Sequence, residues 1–164
     1  MDIGVPNRQN RRYLPILLGI LRVLAKYVLG GNNMTSSKYN KDVHYVCKIP
    51  CINKIEKKYG KLKNYDVILT DERINHIRLR RGIKANEILN NVKEVICKYN
   101  LILDADDNCI RYVKLYDNHN IAFVIKLSLD NHKQGNSILS GVIVKTKKLE
   151  KIIDKSTIID LKIW

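Results

Sequence analysis

Acidic residues are few in this chain: 16 Asp and Glu stand against 30 Lys and Arg, a formal charge of +14 over 164 residues. A surplus of that size repels itself in the folded state. It argues against a small neutral substrate and for a polyanion, nucleic acid first and an anionic membrane surface second. Proline and glycine are also sparse, at 3 and 8, which excludes collagen-like and linker-rich chains. A hydrophobic share of 45% can fill a core, so the composition is not that of a disordered chain, and the length is about that of one domain. Only four cysteines occur, Cys47, Cys51, Cys97 and Cys109. Nothing frames them as the disulfide set of a small secreted domain, and they read as reduced thiols of a cytoplasmic protein.

Several chemistries lack their motifs. There is no Walker loop, no Gly-rich dinucleotide fingerprint and no kinase motif set. His44, Cys47 and Cys51 could begin a zinc site, but no second ligand pair follows them. Asp104-Ala-Asp-Asp-Asn108 has the look of a calcium loop, yet Cys109 stands where glycine is needed and Leu115 where a bidentate glutamate is needed. The run therefore reads as a hairpin turn. Carboxylates do not cluster in sequence around the one histidine singled out below, so a two-metal nuclease has no ligand set. The expectation is no metal and no cofactor.

The positive charge is unevenly spread. Residues 1–34, 35–100 and 101–164 carry +4, +8 and +2, so a polyanion is expected to meet the middle of the chain. Within the first part, Leu14, Leu17, Leu18, Leu21, Leu24 and Val28 recur at helical spacing, and Arg22 and Lys26 lie on the other face. Residues 13–29 are thus expected to form an amphipathic basic helix, too charged for a membrane span. It would dock on the domain or a partner, or attach to a membrane surface. Gly30, Gly31, Asn32 and Asn33 break the pattern. This divides the chain into a helix and linker over 1–33 and a folded domain over 43–164.

In the domain, the pattern predicts a short helix over Ile52–Tyr59 and a brief strand at Val67–Leu69 ending at Thr70. Thr70 is a good helix N-cap, with Asp71 and Glu72 suited to the positive end of the helix dipole. A helix over Asp71–Arg81 should stop at Gly82, and another should run over Asn86–Tyr99 with Ile88, Leu89, Val92, Val95 and Ile96 on one stripe. The period then changes to two. Strands are expected at Leu101–Leu103, Cys109–Tyr116, Ile121–Leu129, Ser137–Lys145 and Thr157–Ile163. Helices followed by sequential strands predict an α+β fold, with N-terminal helices packed on a mainly antiparallel four- to five-stranded sheet.

The chemistry concentrates on the helix over Asp71–Arg81. At 100° per residue, Arg73, His76 and Arg80 fall within an arc of roughly 60°, with Ile74 and Ile77 to one side as the core anchor. Arginine pairs bidentately with phosphate, and histidine exchanges a proton near neutral pH. Arg78, Arg81 and Lys84 continue the basic surface. Lys114 and Lys126 extend it across the sheet if their face is open, as phosphate contacts that do not read sequence. Nine tyrosines against one phenylalanine would suit base stacking, and equally an ordinary sheet.

The run Val67-Ile-Leu-Thr-Asp-Glu-Arg-Ile-Asn-His-Ile77 with Arg80-Arg-Gly82, followed downstream by Asn136-Ser137-Ile138, resembles the phage barnase–EndoU–colicin E5/D–RelE-like nuclease group over about residues 48–164. The resemblance implies a metal-independent ribonuclease, phage- or mobile-element-associated, in which the ribose 2′-hydroxyl attacks the neighbouring phosphorus to leave a cyclic phosphate. On that basis His76 is the general base or acid, Arg80 holds the phosphate, and Ser137 bonds a phosphate oxygen from the late strand. Arg73, Arg78, Arg81, Lys84 and Lys126 bind the substrate. Ser140 would face away from Ser137 in a regular strand, so the two share a site only through a bulge or bend. Many relatives carry a second histidine where this chain has Arg81, which is a poor proton shuttle. Either Tyr112 or a lysine such as Lys126 completes acid–base catalysis, or the chain is slow or inactive. The alternative is a non-catalytic domain that occupies RNA or inhibits a protein. RNA and a neutralising or target protein are the expected partners.

Overall fold

The computed structural model describes residues 42–130 and 135–163, so the predicted helix over 13–29 lies outside the described residues. Among the described residues, strand β1 (Val43–Lys48) comes first and is followed by α1 (Ile52–Tyr59), β2 (Asp66–Thr70) and α2 (Asp71–Arg81). A 3-10 turn (Gly82–Lys84) then leads into the short helices α3 (Ala85–Asn90) and α4 (Val92–Cys97). The second half runs through β3 (Leu101–Ala105), β4 (Cys109–Leu115), β5 (Asn120–Lys126) and β6 (Asn136–Val144) to α5 (Thr146–Ile153) and β7 (Ile158–Leu161).

The seven strands of the described residues form one mixed sheet in the order β1-β2-β6-β5-β4-β3-β7. Neighbours are antiparallel except β2 and β6, which run parallel through Val67 with Asn136 and Ile68 with Ser137. The α+β class is as expected, but the sheet is larger than the four to five strands predicted. All six segments read as strands join this one sheet, and β1 is the strand that was not read: its register on β2 shifts between Tyr45 and Cys47, and this irregularity removes the alternation that marks a strand in sequence. The other difference is α5. Its Leu149, Ile152 and Ile153 recur at helical spacing, a pattern overlooked between two strand readings.

Two layers of helix cover the sheet. One face buries Ile55 of α1, Ile77 of α2, Ile88 and Leu89 of α3, and Val92, Val95 and Ile96 of α4 against Leu69, Tyr112, Phe123, Ile125 and Ile138. On the other face, Leu149 of α5 packs with Leu101, Leu103, Val113, Ala122 and Val144. The helix expected over Asn86–Tyr99 is broken at Asn91. There Asn91 Nδ2 donates to the Glu87 carbonyl at 2.8 Å, and its backbone N–H bonds Ile88 O, three residues back. Both halves still bury the predicted stripe. At Gly141, close approach requires glycine, because a Cβ there would lie 2.5 Å from Phe123 Cε1 and 2.6 Å from Ile88 Cγ2. Among the described residues, no helix is long and apolar enough to cross a membrane.

Candidate functional site

Helix α2 is set by local chemistry at both ends. The Thr70 hydroxyl accepts from Arg73 N at 3.3 Å, and Gly82 stops the helix at φ 52° with its N–H on Arg78 O. Strand β1 holds the N-terminal end, through Asp71 N to Asp42 O at 3.0 Å and His44 Nε2 to Asp71 Oδ1 at 2.6 Å. Ile77 is buried and Ile74 is packed against the core, which fixes the rotation of the helix. Full burial of one such isoleucine is worth about 1.5–3 kcal/mol. That rotation leaves His76 half-buried and Arg80 exposed on one flank, with Arg73 half-buried beside them.

Among the described residues neither His76 nor Arg80 makes a hydrogen bond or ion pair, and Arg73 meets only Glu72, at 3.8 Å. Arg78 and Lys84 are exposed. Leu79 and Ile83 stand 87% and 100% exposed, so bare apolar surface adjoins the cations. Arg81 behaves differently. Its Nε donates to the Gly141 carbonyl at 3.0 Å, so Arg81 fastens α2 to β6.

The residues predicted to join this group from the sheet stand elsewhere. Ile138 and Ile125 are paired and buried on the face that receives α2, so Ser137 and its partner Lys126, one residue on, belong to the opposite face. No hydrogen bond among the described residues joins Ser137 to His76 or Arg80. Lys126 donates to the Asp107 carbonyl in the β3–β4 turn. Lys114 lies on the α2 face and donates to Lys98 O at 3.2 Å. Tyr112 is fully buried, with its hydroxyl on Pro50 O at 3.0 Å, so it is a core residue without access to a substrate.

The late motif divides into a structural and an open half. Asn136 is fully buried: Nδ2 donates to Asn64 O at 2.8 Å and to Asp66 O at 3.1 Å, and Oδ1 accepts from Ser128 N at 2.9 Å. It fastens the start of β6 to β2 and to the exit of β5. Beyond it, Val124 pairs with Ser140 while Ile125 pairs with Ile138, so Leu139 is an extra residue on β6. This bulge turns Ser140 onto the face of Ser137, meeting the condition under which the two can share a site. Arg111, opposite Val124, lies on that face too. Sequence reasoning passed over it, although a guanidinium in the alternating run Cys109–Leu115 marks a strand position that is not simply core.

A second polar cluster braces the far edge of the sheet. Asp160, on β7, is buried and accepts from Lys54 Nζ at 2.5 Å, Tyr99 OH at 2.5 Å and Cys51 Sγ at 3.4 Å. Burial alone would push its carboxyl up, but the three donors outweigh that and hold it down at about 2. The Cys51 thiol is raised, first by burial and also by Asp160, so it is not an activated thiolate. A groove of about 430 Å³ beside β7 is lined by Lys54, Lys57, Lys58, Ile158 and Ile159, none of them a predicted site residue. Among the described residues, no group of three or more His, Cys, Asp and Glu gathers where a metal ion could be held. Compared with known proteins, the chain matches no family, no curated protein and no solved structure.

Proposed function

We propose that the chain is a metal-independent endoribonuclease, phage- or mobile-element-associated, built on a variant of the barnase–EndoU–colicin E5/D–RelE-like fold. The observation that carries this reading is the flank of α2, where a half-buried imidazole without a partner among the described residues lies between two arginines. His76 takes the proton of the ribose 2′-hydroxyl as its oxygen bonds the adjacent phosphorus. The bond to the 5′-oxygen breaks, that oxygen takes a proton from water, and a 2′,3′-cyclic phosphate remains. Arg80 and Arg73 hold the charge that grows on the phosphoryl oxygens, and Leu79 and Ile83 offer apolar surface to unstacked bases. Arginine is a poor proton shuttle and Arg81 Nε is bonded to the Gly141 carbonyl, so Arg81 does not protonate the leaving oxygen. General acid catalysis is typically worth about 10²–10⁴-fold, so turnover is slow by that factor. The test is to incubate the protein with single-stranded RNA in EDTA. Fragments ending in cyclic phosphate, lost in His76→Ala and reduced in Arg80→Ala, support the proposal; intact RNA overturns it.

A second reading is a non-catalytic domain on the same fold that occupies RNA or inhibits a protein. Two observations favour it: Ser137 and Lys126 lie on the sheet face opposite α2, and Arg81 has a structural bond. RNA binding that weakens steeply with salt, with no cleavage at any enzyme concentration, would select it.

A further inference from the structure

The face of the sheet opposite α2 carries a basic and hydroxylic group that the helix does not use. Two neighbouring rows cross it. In one, Arg111 pairs with Val124 and Val124 with Ser140; in the other, Lys126 pairs with Ser137. α5 packs on the rows beside Val113, Ala122 and Val144, while Arg111, Val124, Lys126, Ser137 and Ser140 are all partly open. Arg111 is the member that needs explanation. Burial lowers its pKa and Asp106 only partly offsets this, yet among the described residues it has no hydrogen bond and no ion pair. A guanidinium drawn partly out of water is normally paired, since desolvating a charge without a partner is unfavourable. Its five donors match an oxyanion.

The spacing suits one small anion. Strands lie about 4.8 Å apart, so Arg111 and Ser140, two strands from each other, are separated by roughly 10 Å at the backbone. An extended arginine and a phosphate together fill that gap over Val124. The bulge at Leu139 brings a second hydroxyl, Ser137, to the same side. Lys126 spends one of its three donors on the Asp107 carbonyl and adds charge at the rim.

We propose that Arg111, Ser137 and Ser140 form a phosphate-binding site on this face, which in the ribonuclease reading takes a backbone phosphate of the RNA away from the point of cleavage. The inference rests on that reading only for the identity of the ligand. A phosphate held there adds affinity without reading base sequence.

Two measurements on the full chain test it. Titration with inorganic phosphate, followed by NMR, should shift the Arg111 Nε–Hε signal and the Ser137 and Ser140 amides. Arg111→Gln should weaken binding of a single-stranded RNA about 10-fold and reduce its log–log salt slope by about 0.7, the value for one contact to a single strand. Arg111→Lys should keep the slope but not the full affinity, because lysine lacks the bidentate fork. If Arg111→Gln melts below the wild type, Arg111→Lys and the pair Ser137→Ala with Ser140→Ala supply the readout instead, as weaker RNA binding at an unchanged salt slope. Unmoved Arg111 signals, or wild-type affinity and slope in folded Arg111→Gln, overturn the site. RNA cleavage sensitive to His76→Ala together with silent Arg111 signals removes this inference and leaves the nuclease. Shifted Arg111 signals with RNA neither bound nor cut sustain the anion site and remove the nuclease.

Discussion

Replacing Asn136 with leucine deletes three hydrogen bonds at the point where β2, β6 and the exit of β5 meet. Leucine keeps the branched shape of asparagine but is the larger side chain, so any overpacking at this fully buried position adds to the loss of polar pairing. Each bond contributes a net of about 1 kcal/mol, and the Ser128 N–H is worse off than the average. It sits in a fully buried residue, and an orphaned buried donor carries its whole desolvation penalty, about 1–3 kcal/mol. The expected loss is therefore about 3–5 kcal/mol, a large part of the 5–15 kcal/mol typical of a domain. Asn136→Asp should be no milder, since it keeps the acceptor for Ser128 but sets carboxylate oxygens against the Asn64 and Asp66 carbonyls. Its folded carboxyl pKa must then lie above the unfolded value, so this variant gains stability as pH falls. Urea denaturation of wild type and both variants, with the slope checked for constancy, gives the numbers. A loss below 1 kcal/mol for Asn136→Leu would refute the role of Asn136 as the fastener of β6.

Gly141→Ala should destabilise by about 1–3 kcal/mol through overpacking against Phe123 and Ile88, read as a lower midpoint in the same urea experiment; an unchanged midpoint would show that α3 is free to move off the sheet. Asp160 sets the response to acid. Its folded pKa, about 2, lies below the usual carboxylate value, so its contribution is full above about pH 4 and is lost as pH falls toward 2. The stability gap between wild type and Asp160→Asn should shrink by about 2 kcal/mol between pH 6 and pH 2, and a pH-independent gap would contradict the role of the Lys54, Tyr99 and Cys51 donors.

Helix α2 was legible in the sequence because everything that shapes it is local: the Thr70 cap, the acidic first turn, the Ile74 and Ile77 anchor and the Gly82 stop lie within thirteen residues. The composition of the candidate site was less accessible. Whether Ser137 joins His76 depends on which face of β6 each residue takes, and that is decided by pairing with β5 and β2, not by the residues nearby. The bulge at Leu139 has no local signal, since an ordinary leucine forms it. Tyr112 and Lys126 both looked like proton donors from type alone, yet opposite parity sends one into the core and the other to the far face. Arg111 was hidden for the same reason. Its strand was recognised, but a charge in an alternating run acquires meaning only once its neighbours across β5 and β6 are known.

The claim on which the rest depends is that the flank of α2 meets a ribonucleotide backbone. It is tested most directly by following the His76 imidazole with ¹⁵N NMR while a single-stranded RNA with 2′-O-methyl sugars, which can bind but cannot be cut, is titrated into the full chain. The expected result is a saturable shift of the His76 signals that Arg80→Ala weakens. RNA that binds while those signals stay in place, or that does not bind at all, would contradict it.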